Sequence, residues 1–226
     1  MFTDRRDAGI RLARKLKEYK DRSDVLILAL PRGGVVVGYE IAHALHVPLD
    51  VFVVRKLGFP GRPELAAGAV AETGAIVWNK DVLSLYGVSK AYLDPELERE
   101  KEEIRRRVTL YRGGRKLPKL AGKVLILVDD GLATGATAKA AIAALKQERP
   151  KRLVTAVPVA PADTALEFGR LVDTFVCLET DPAFYAIGAY YLDFTQVADR
   201  EVTDLLNKAS HELQRERRGS REESAA

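Results

Sequence analysis

The amino-acid sequence predicts an α/β fold in which a central parallel sheet is flanked by helices. Aliphatic runs near 25–30, 49–54, 124–128, 153–159 and 172–178 alternate with helical patterns near 35–45, 136–148 and 163–171. Such alternation is typical of parallel βαβ units, and uninterrupted aliphatic strands are typical of a sheet covered on both faces. The chain has 226 residues, 47% of them hydrophobic, which suffices for a single core.

The first predicted strand runs into Pro31-Arg32-Gly33-Gly34, which we call the glycine loop. Two adjacent glycines open the backbone so that N–H groups can line up on an anion, and the planar guanidinium of Arg32 matches phosphate oxygens. Taken alone, a turn of this composition is more often structural. Because it follows a first strand and shares the chain with the acidic residues described below, we interpret it as an anion pocket.

The second predicted strand ends at Arg55 and Lys56, and a loop rich in glycine and proline follows as far as Pro63. Such a loop can move. The two basic residues at the strand end either contact an anion or are simply solvated. Glu64 and Glu72 flank the region; they could orient a base or a metal-bound water, although charged residues beside a loop are usually solvated.

The next part of the chain changes character. Residues 68–72 and 75–78 are predicted to form short strands, and a charged helix is predicted to begin at Asp94-Pro95 and continue to residue 112. Its acidic first half gives way to a basic second half, which suits the helix dipole. We interpret these charges as a solvated helix face rather than an RNA-binding surface.

The strand at 124–128 ends in two carboxylates, Asp129 and Asp130, which we call the acidic pair. These carboxylates would repel a phosphate if they pointed at it. They are therefore expected to face the vicinal hydroxyls of a ribose, or a hydrated divalent cation. The alternative is an acidic strand end that precedes an ordinary N-capped helix.

Residues 133–137, Ala133-Thr134-Gly135-Ala136-Thr137, form the threonine loop, which opens the next helical pattern. Backbone N–H groups and the positive end of a helix dipole can hold a phosphate dianion there, with two threonine hydroxyls as further donors. Gly135 allows a close approach of the backbone. Both anion loops then follow the carboxyl ends of strands, where open α/β sheets bind ligands.

Toward the C-terminus, residues 181–194 combine a turn, several aromatic side chains and a carboxylate. These aromatic side chains either line a ligand pocket or pack the C-terminal core. Residues 199–218 are predicted to form a charged amphipathic helix, and residues 219–226 a disordered tail.

The segment Val-Asp-Asp-Gly-Leu-Ala-Thr-Gly-Ala-Thr at 128–137 resembles the phosphoribosyl pyrophosphate signature of type I phosphoribosyltransferases. A nucleotide-binding P-loop is a poorer match, because no Gly-Lys-Ser/Thr follows the glycine. The resemblance implies a type I phosphoribosyltransferase-like, Rossmann-like sheet with a small hood lobe. It implies one domain over 1–198, with a hood built partly from 1–22 and 180–196, followed by a charged helix and disordered tail over 199–226.

The resemblance also implies roles for the two loops and the basic strand end. The acidic pair would bind the ribose 2- and 3-hydroxyls, and the threonine loop the 5-phosphate. Pyrophosphate contacts are expected from Arg32, Gly33, Gly34, Arg55 and Lys56, with Arg62 a weaker candidate. Mg²⁺ would bridge pyrophosphate and ribose, and the acidic pair would hold it indirectly, through hydroxyls or water.

The acceptor is less well defined by the same resemblance. Phe184, Tyr185, Ile187 and Asp193 match a hood segment of hypoxanthine-type enzymes, although the interval before Asp193 is one residue longer here. Those enzymes carry in the phosphate loop an aspartate that handles the proton of the purine ring nitrogen. Ala133 stands at that position, which argues against a 6-oxopurine acceptor.

Composition limits the remaining classes. One cysteine permits no internal disulfide, so a reducing cytoplasm is expected. The N-terminus lacks the apolar segment of a signal peptide, and no run is long enough for a membrane span. Three scattered histidines give no zinc site. The net charge of +4 suits a polyphosphate substrate but is too small to indicate nucleic acid.

We therefore predict a phosphoribosyltransferase that uses phosphoribosyl pyrophosphate, Mg²⁺ and a small acceptor of unassigned identity, with a homodimer implied by the resemblance. One alternative is a regulatory protein that senses phosphoribosyl pyrophosphate without turnover. A second is an enzyme that hydrolyses a phosphorylated sugar in the same pocket.

Overall fold

The computed structural model describes residues 1–223, apart from the side chains of residues 63, 64 and 216–223. Its principal elements are α1 (Arg5–Lys15), β1 (Val25–Ala29), α2 (Gly33–Leu45), β2 (Leu49–Val51), β3 (Val54–Phe59), β4 (Arg62–Ala71), β5 (Ile76–Trp78), α3 (Lys80–Leu85), α4 (Asp94–Arg112), β6 (Val124–Val128), α5 (Ala136–Gln147), β7 (Arg152–Pro161), α6 (Ala162–Leu171), β8 (Thr174–Asp181) and α7 (Asp199–Glu223).

The central sheet has five strands in the order β2-β1-β6-β7-β8, and every neighbouring pair is parallel. This confirms the predicted α/β class. Residues of β1 alternate between the two faces of the sheet, as a strand requires. Ile27 packs toward α1 and α2, whereas Leu26 and Leu28 pack with α5 and α6.

The strand predicted at 49–54 is divided in two. β2 ends at Val51, and β3 begins at Val54 in a separate antiparallel sheet with β4 and β5. The prediction of a glycine- and proline-rich loop after Lys56 was also wrong in part. Most of that segment belongs to the β3–β4 hairpin, which turns at Pro60 and Gly61. Gly61 has a φ of +78°, which a glycine adopts without steric cost.

A buried ion-pair network fixes the junction between the two sheets. Arg112, at the end of α4, donates to Asp50 at 2.8 Å and to the Val51 carbonyl at 2.6 Å, and it also pairs with Glu72. Glu72 in turn accepts from the Val53 backbone N–H at 2.8 Å. Glu72 is thus engaged in structural contacts, and the possibility that it orients a base or a metal-bound water loses support.

Both ends of the predicted hood lie together. The Phe2 N–H donates to the Tyr190 carbonyl at 2.7 Å, and the Leu192 N–H donates to the Phe2 carbonyl at 2.9 Å. Hydrogen bonds between the first residues and the segment near 190 therefore join the two parts of the chain from which the hood was expected.

The helix predicted at 199–218 is α7, which packs against α2 and α4. It continues to Glu223, so the disordered tail was predicted to begin too early. The rest of that predicted tail, residues 224–226, lies outside the described residues. Of the helices described, none is both long and apolar enough to cross a membrane.

Replacing Arg112 with alanine is expected to lower the free energy of unfolding by about 3–5 kcal/mol, because the largely buried carboxylates of Glu72 and Asp50 would be left without their partner. Chemical denaturation measures this difference. Arg106→Ala, on the exposed face of the same helix, is the matched control and should barely move the denaturation midpoint. Equal losses of stability in the two variants would show that the Arg112 network stabilises the protein no more than an exposed ion pair does.

Candidate active site

The acidic pair lies at the carboxyl end of β6. Asp129 accepts from the Asp130 backbone N–H at 2.9 Å, and Asp130 Oδ2 accepts from Arg5 Nε at 2.7 Å. The Tyr191 hydroxyl donates to the Asp130 carbonyl at 2.7 Å. Burial and the neighbouring charge of Asp130 raise the pKa of Asp129. Two crowded carboxylates of this kind attract a diol or a cation.

The glycine loop lies directly against the acidic pair. A Cβ at Gly33 would overlap Asp130 Oδ2, and a Cβ at Gly34 would be 2.8 Å from the Val128 carbonyl oxygen and 3.0 Å from Asp129 Cα. Only glycine at both positions allows this approach. The peptide bond between Pro31 and Arg32 is cis. The structure therefore brings the glycine loop and the acidic pair into direct contact.

The threonine loop is held from behind by β7 and α6. The Thr164 hydroxyl donates to the Ala133 carbonyl at 3.2 Å, and the Leu132 N–H donates to the Val159 carbonyl at 2.9 Å. Gly135 has a φ of +67°, and a Cβ there would be 2.6 Å from Phe168 Cε2. The loop therefore has little freedom on its buried side. Its other four residues are exposed at the start of α5, where their backbone can face an anion.

Arg55 and Lys56, predicted to stand at the end of a strand, lie instead within strand β3. They border a cavity of about 390 Å³ whose walls come from the glycine loop, β3, α4 and the threonine loop. The lining residues are Pro31, Val54, Arg55, Lys56, Gly58, Glu96, Arg99, Glu100, Arg107 and Thr137. The structure thus brings Arg55 and Lys56 to the same cavity as one end of the glycine loop and one end of the threonine loop.

Helix α4 contributes charged side chains to this cavity. Glu100 is 6% exposed and accepts from Arg55 Nε at 2.6 Å. The interpretation of α4 as a solvated charged face was therefore wrong for this residue. Glu100 lies between Leu97 and Ile104, both buried, so the helical period of the apolar residues was the signal that could have identified it.

Arg62 is placed away from this arrangement of charges. Its guanidinium donates to the Tyr86 hydroxyl at 3.1 Å and lies over the Tyr86 ring, beside Phe59. The Glu64 side chain lies outside the described residues. Arg62 consequently contacts an aromatic cluster at the hairpin rather than the cavity that Arg55 and Lys56 line.

The four acceptor candidates differ in their surroundings: Phe184 and Ile187 pack against one hydrophobic cluster, whereas Tyr185 and Asp193 are exposed. Ile187 lies against Gly131, where a Cβ would be 2.6 Å from Ile187 Cγ2, and Phe184 stacks on Tyr190 at 5.4 Å between ring centroids. Tyr185 is 92% exposed. Asp193 accepts from the Thr195 backbone N–H at 2.9 Å, and its hydrogen bonds to Thr195 lower its pKa. Of these candidates, Ile187 is the one that touches the loop after the acidic pair.

Residues 3–195 match the phosphoribosyl transferase domain family. The chain belongs to this family. The sequence is 43% identical over 213 residues to two proteins of Mycobacterium tuberculosis, from strains CDC 1551 and H37Rv, named "Putative phosphoribosyl transferase" MT0597 and Rv0571c. The match covers 94% of this chain and 48% of each relative, so the chain spans about half the length of these phosphoribosyl transferase relatives.

A solved structure is similar to this phosphoribosyl transferase domain in both fold and sequence. The protein TT1426 from Thermus thermophilus superposes with a TM-score of 0.79 at 42% sequence identity, and the match covers 91% of this chain and 97% of that one. The sequence-based recognition of the family and of its fold is confirmed.

Gly135→Ala is expected to destabilise the protein by about 1 kcal/mol for the positive φ and by about 1–3 kcal/mol more for the contact with Phe168. Gly113→Ala is the matched control, because Gly113 has a φ of +59° and open space around it. Chemical denaturation of both variants separates the two effects. If both lose the same stability, Phe168 does not restrict the threonine loop.

Proposed function

We propose that the protein transfers the phosphoribosyl group of phosphoribosyl pyrophosphate to a nitrogenous base or amine and releases pyrophosphate. The contact between the acidic pair and the glycine loop carries this proposal. It puts two carboxylates suited to a ribose diol beside a backbone suited to a pyrophosphate, with a second phosphate-binding loop next to them. This spacing matches one extended sugar phosphate better than two separate ligands.

In the proposed reaction the acceptor nitrogen attacks the anomeric carbon and releases to solvent any proton that it carries. The bond from that carbon to the pyrophosphate oxygen breaks, and its electron pair leaves with pyrophosphate. The threonine loop fixes the sugar through the 5-phosphate, and Arg32, Arg55 and Lys56 offset the charge that develops on the leaving group. No covalent nucleophile is required. Burial raises the pKa of the Cys177 thiol to about 11, which makes it a poor candidate for that role.

The donor chemistry of the acidic pair fits Mg²⁺ held indirectly. Asp129 and Asp130 supply hard carboxylate oxygens, the ligands that Mg²⁺ prefers. Among the side chains that the structure describes, no three His, Cys, Asp or Glu residues converge as a metal cage. We propose a hydrated ion that the acidic pair shares with the substrate. When bound, Mg²⁺ would neutralise charge on the pyrophosphate. A homodimer and a cytoplasmic location remain predictions.

The acceptor is tested directly by pyrophosphate release from phosphoribosyl pyrophosphate and Mg²⁺. The panel comprises adenine, guanine, hypoxanthine, xanthine, uracil, orotate, nicotinate, glutamine and ammonia, with a control that lacks acceptor. Release that depends on one acceptor would establish the transferase and identify its substrate. Release without acceptor would indicate hydrolysis of the sugar phosphate, and tight binding without release would indicate a sensor. Ala133 leads us to expect no turnover with the 6-oxopurines hypoxanthine, guanine and xanthine.

Asp130→Asn is expected to weaken binding of phosphoribosyl pyrophosphate with Mg²⁺ by at least about tenfold, or about 1.4 kcal/mol, because an amide replaces the carboxylate that faces the ribose diol. Isothermal titration calorimetry measures the affinity. The control is Asp204→Asn, which removes one exposed charge on α7. Because Asp204 belongs to none of the segments assigned to the substrate, the affinity should not change. An unaltered affinity in Asp130→Asn would contradict the assignment of the acidic pair to the ribose.

Arg32→Lys is expected to lower kcat more than it weakens substrate affinity, since an ammonium cannot reproduce the planar fork that contacts the departing pyrophosphate. Steady-state kinetics together with calorimetry separate the two quantities. Equal losses in turnover and affinity would mean that Arg32 binds the ground state and the transition state alike.

A further inference from the structure

Arg5 is a buried cation that no sequence pattern singled out. It is the first residue of α1 and is 9% exposed. Its Nε donates to Asp130 Oδ2 at 2.7 Å and its Nη1 donates to the Thr195 carbonyl at 2.8 Å. The Phe194 ring centroid lies 3.8 Å from its Cζ. One guanidinium thus joins α1, the acidic pair and the segment that follows the hood aromatics.

The glycine loop is part of the same contact. A Cβ at Gly33 would lie 2.8 Å from Arg5 Nε and would overlap the Asp130 carboxylate. The missing side chain at Gly33 is therefore what allows Arg5 to reach Asp130. Three segments that the proposed function assigns to the hood, the pyrophosphate and the ribose meet at this ion pair.

The charges explain why a cation is needed here. The Arg5 and Asp130 side chains are 10% and 14% exposed, so water screens them weakly. Asp129 lies beside Asp130, and two neighbouring carboxylates repel each other. A guanidinium on the hood side of Asp130 offsets this repulsion and fixes one carboxylate oxygen by a charge-assisted hydrogen bond.

Resting on the proposed function, we propose that Arg5 is a positioning residue for Asp130: it orients this carboxylate toward the ribose hydroxyls and couples the hood to sugar binding. In this proposal Arg5 is assigned no direct contact with the sugar or the pyrophosphate. Its effect reaches the substrate through Asp130, because the orientation of that carboxylate depends on the guanidinium.

Arginine suits this position better than lysine. The planar guanidinium donates in two directions, to Asp130 and to the Thr195 carbonyl, while its face lies on the Phe194 ring. A lysine ammonium could keep the charge beside Asp130 but could not make all three contacts. Arg5→Lys is therefore expected to retain part of the function, and Arg5→Gln, which lacks the charge, to lose more.

The test is calorimetric titration of phosphoribosyl pyrophosphate with Mg²⁺ into the wild type, Arg5→Lys and Arg5→Gln. We expect affinity to fall at least about tenfold in Arg5→Gln and by an intermediate factor in Arg5→Lys. Arg6→Gln is the matched control: Arg6 is the next residue of the helix, is largely exposed and pairs with Glu40 at 3.2 Å. The affinity of Arg6→Gln for phosphoribosyl pyrophosphate should stay within about twofold of the wild-type value. Titrations are made well below the unfolding midpoint of each variant, so that only folded protein is compared.

A double-mutant cycle distinguishes positioning from a general structural role. In the Asp130→Asn background, Arg5→Lys should change affinity little, because the carboxylate it positions is gone. The proposal is overturned if Arg5→Lys binds as tightly as the wild type, or if it loses the same factor with and without Asp130. The lysine variant retains the buried charge, so this comparison stands even if Arg5→Gln does not fold. A wild type that fails to bind phosphoribosyl pyrophosphate would instead refute the proposed function.

Discussion

The parallel pairing of β1 with β6 is the constraint on which the site depends. Their register joins Val25 to Val124 at one end and Ala29 to Val128 at the other, so both strands stop at the same level. The acidic pair follows β6 directly and the glycine loop follows β1 after Leu30, so the two segments meet. A shift of one residue in this register would turn every side chain of one strand to the opposite face, which the two apolar layers do not allow.

The small antiparallel sheet depends on a different kind of interaction. It projects basic residues of β3 toward the cavity, yet it shares no strand with the central sheet. Arg112 holds the junction through one carboxylate from each sheet region, Asp50 of β2 and Glu72 directly after β4. An ion pair this deeply buried contributes little net stability compared with apolar packing, but removal of either partner is costly. The network therefore defines where the second sheet begins more than it strengthens the fold.

The sequence was a good guide to features that are local. Aliphatic runs identified every strand of the central sheet, and one continuous motif identified the family. The sequence was a poor guide to any residue whose role depends on a partner that is distant along the chain. The break after Val51 depends on Arg112, the burial of Glu100 depends on Arg55, and the position of Arg5 depends on Asp130. The apolar period of α4 could have placed Glu100 on the buried face of the helix, but it could not have identified Arg55 as its partner. No motif records such pairs, because a charged side chain looks solvated until its partner is placed.

The pairing of the N-terminal segment with the end of the domain has a consequence for the order of folding. Arg5 contacts a carboxylate 125 positions away and a carbonyl 190 positions away. Closing loops of that length costs conformational entropy that only the completed sheet can offset. During synthesis, Arg5 of the first helix can contact both partners only after nearly the whole domain has left the ribosome. The contact that we propose to position the sugar-binding carboxylate therefore forms late, and a partly synthesised domain lacks it.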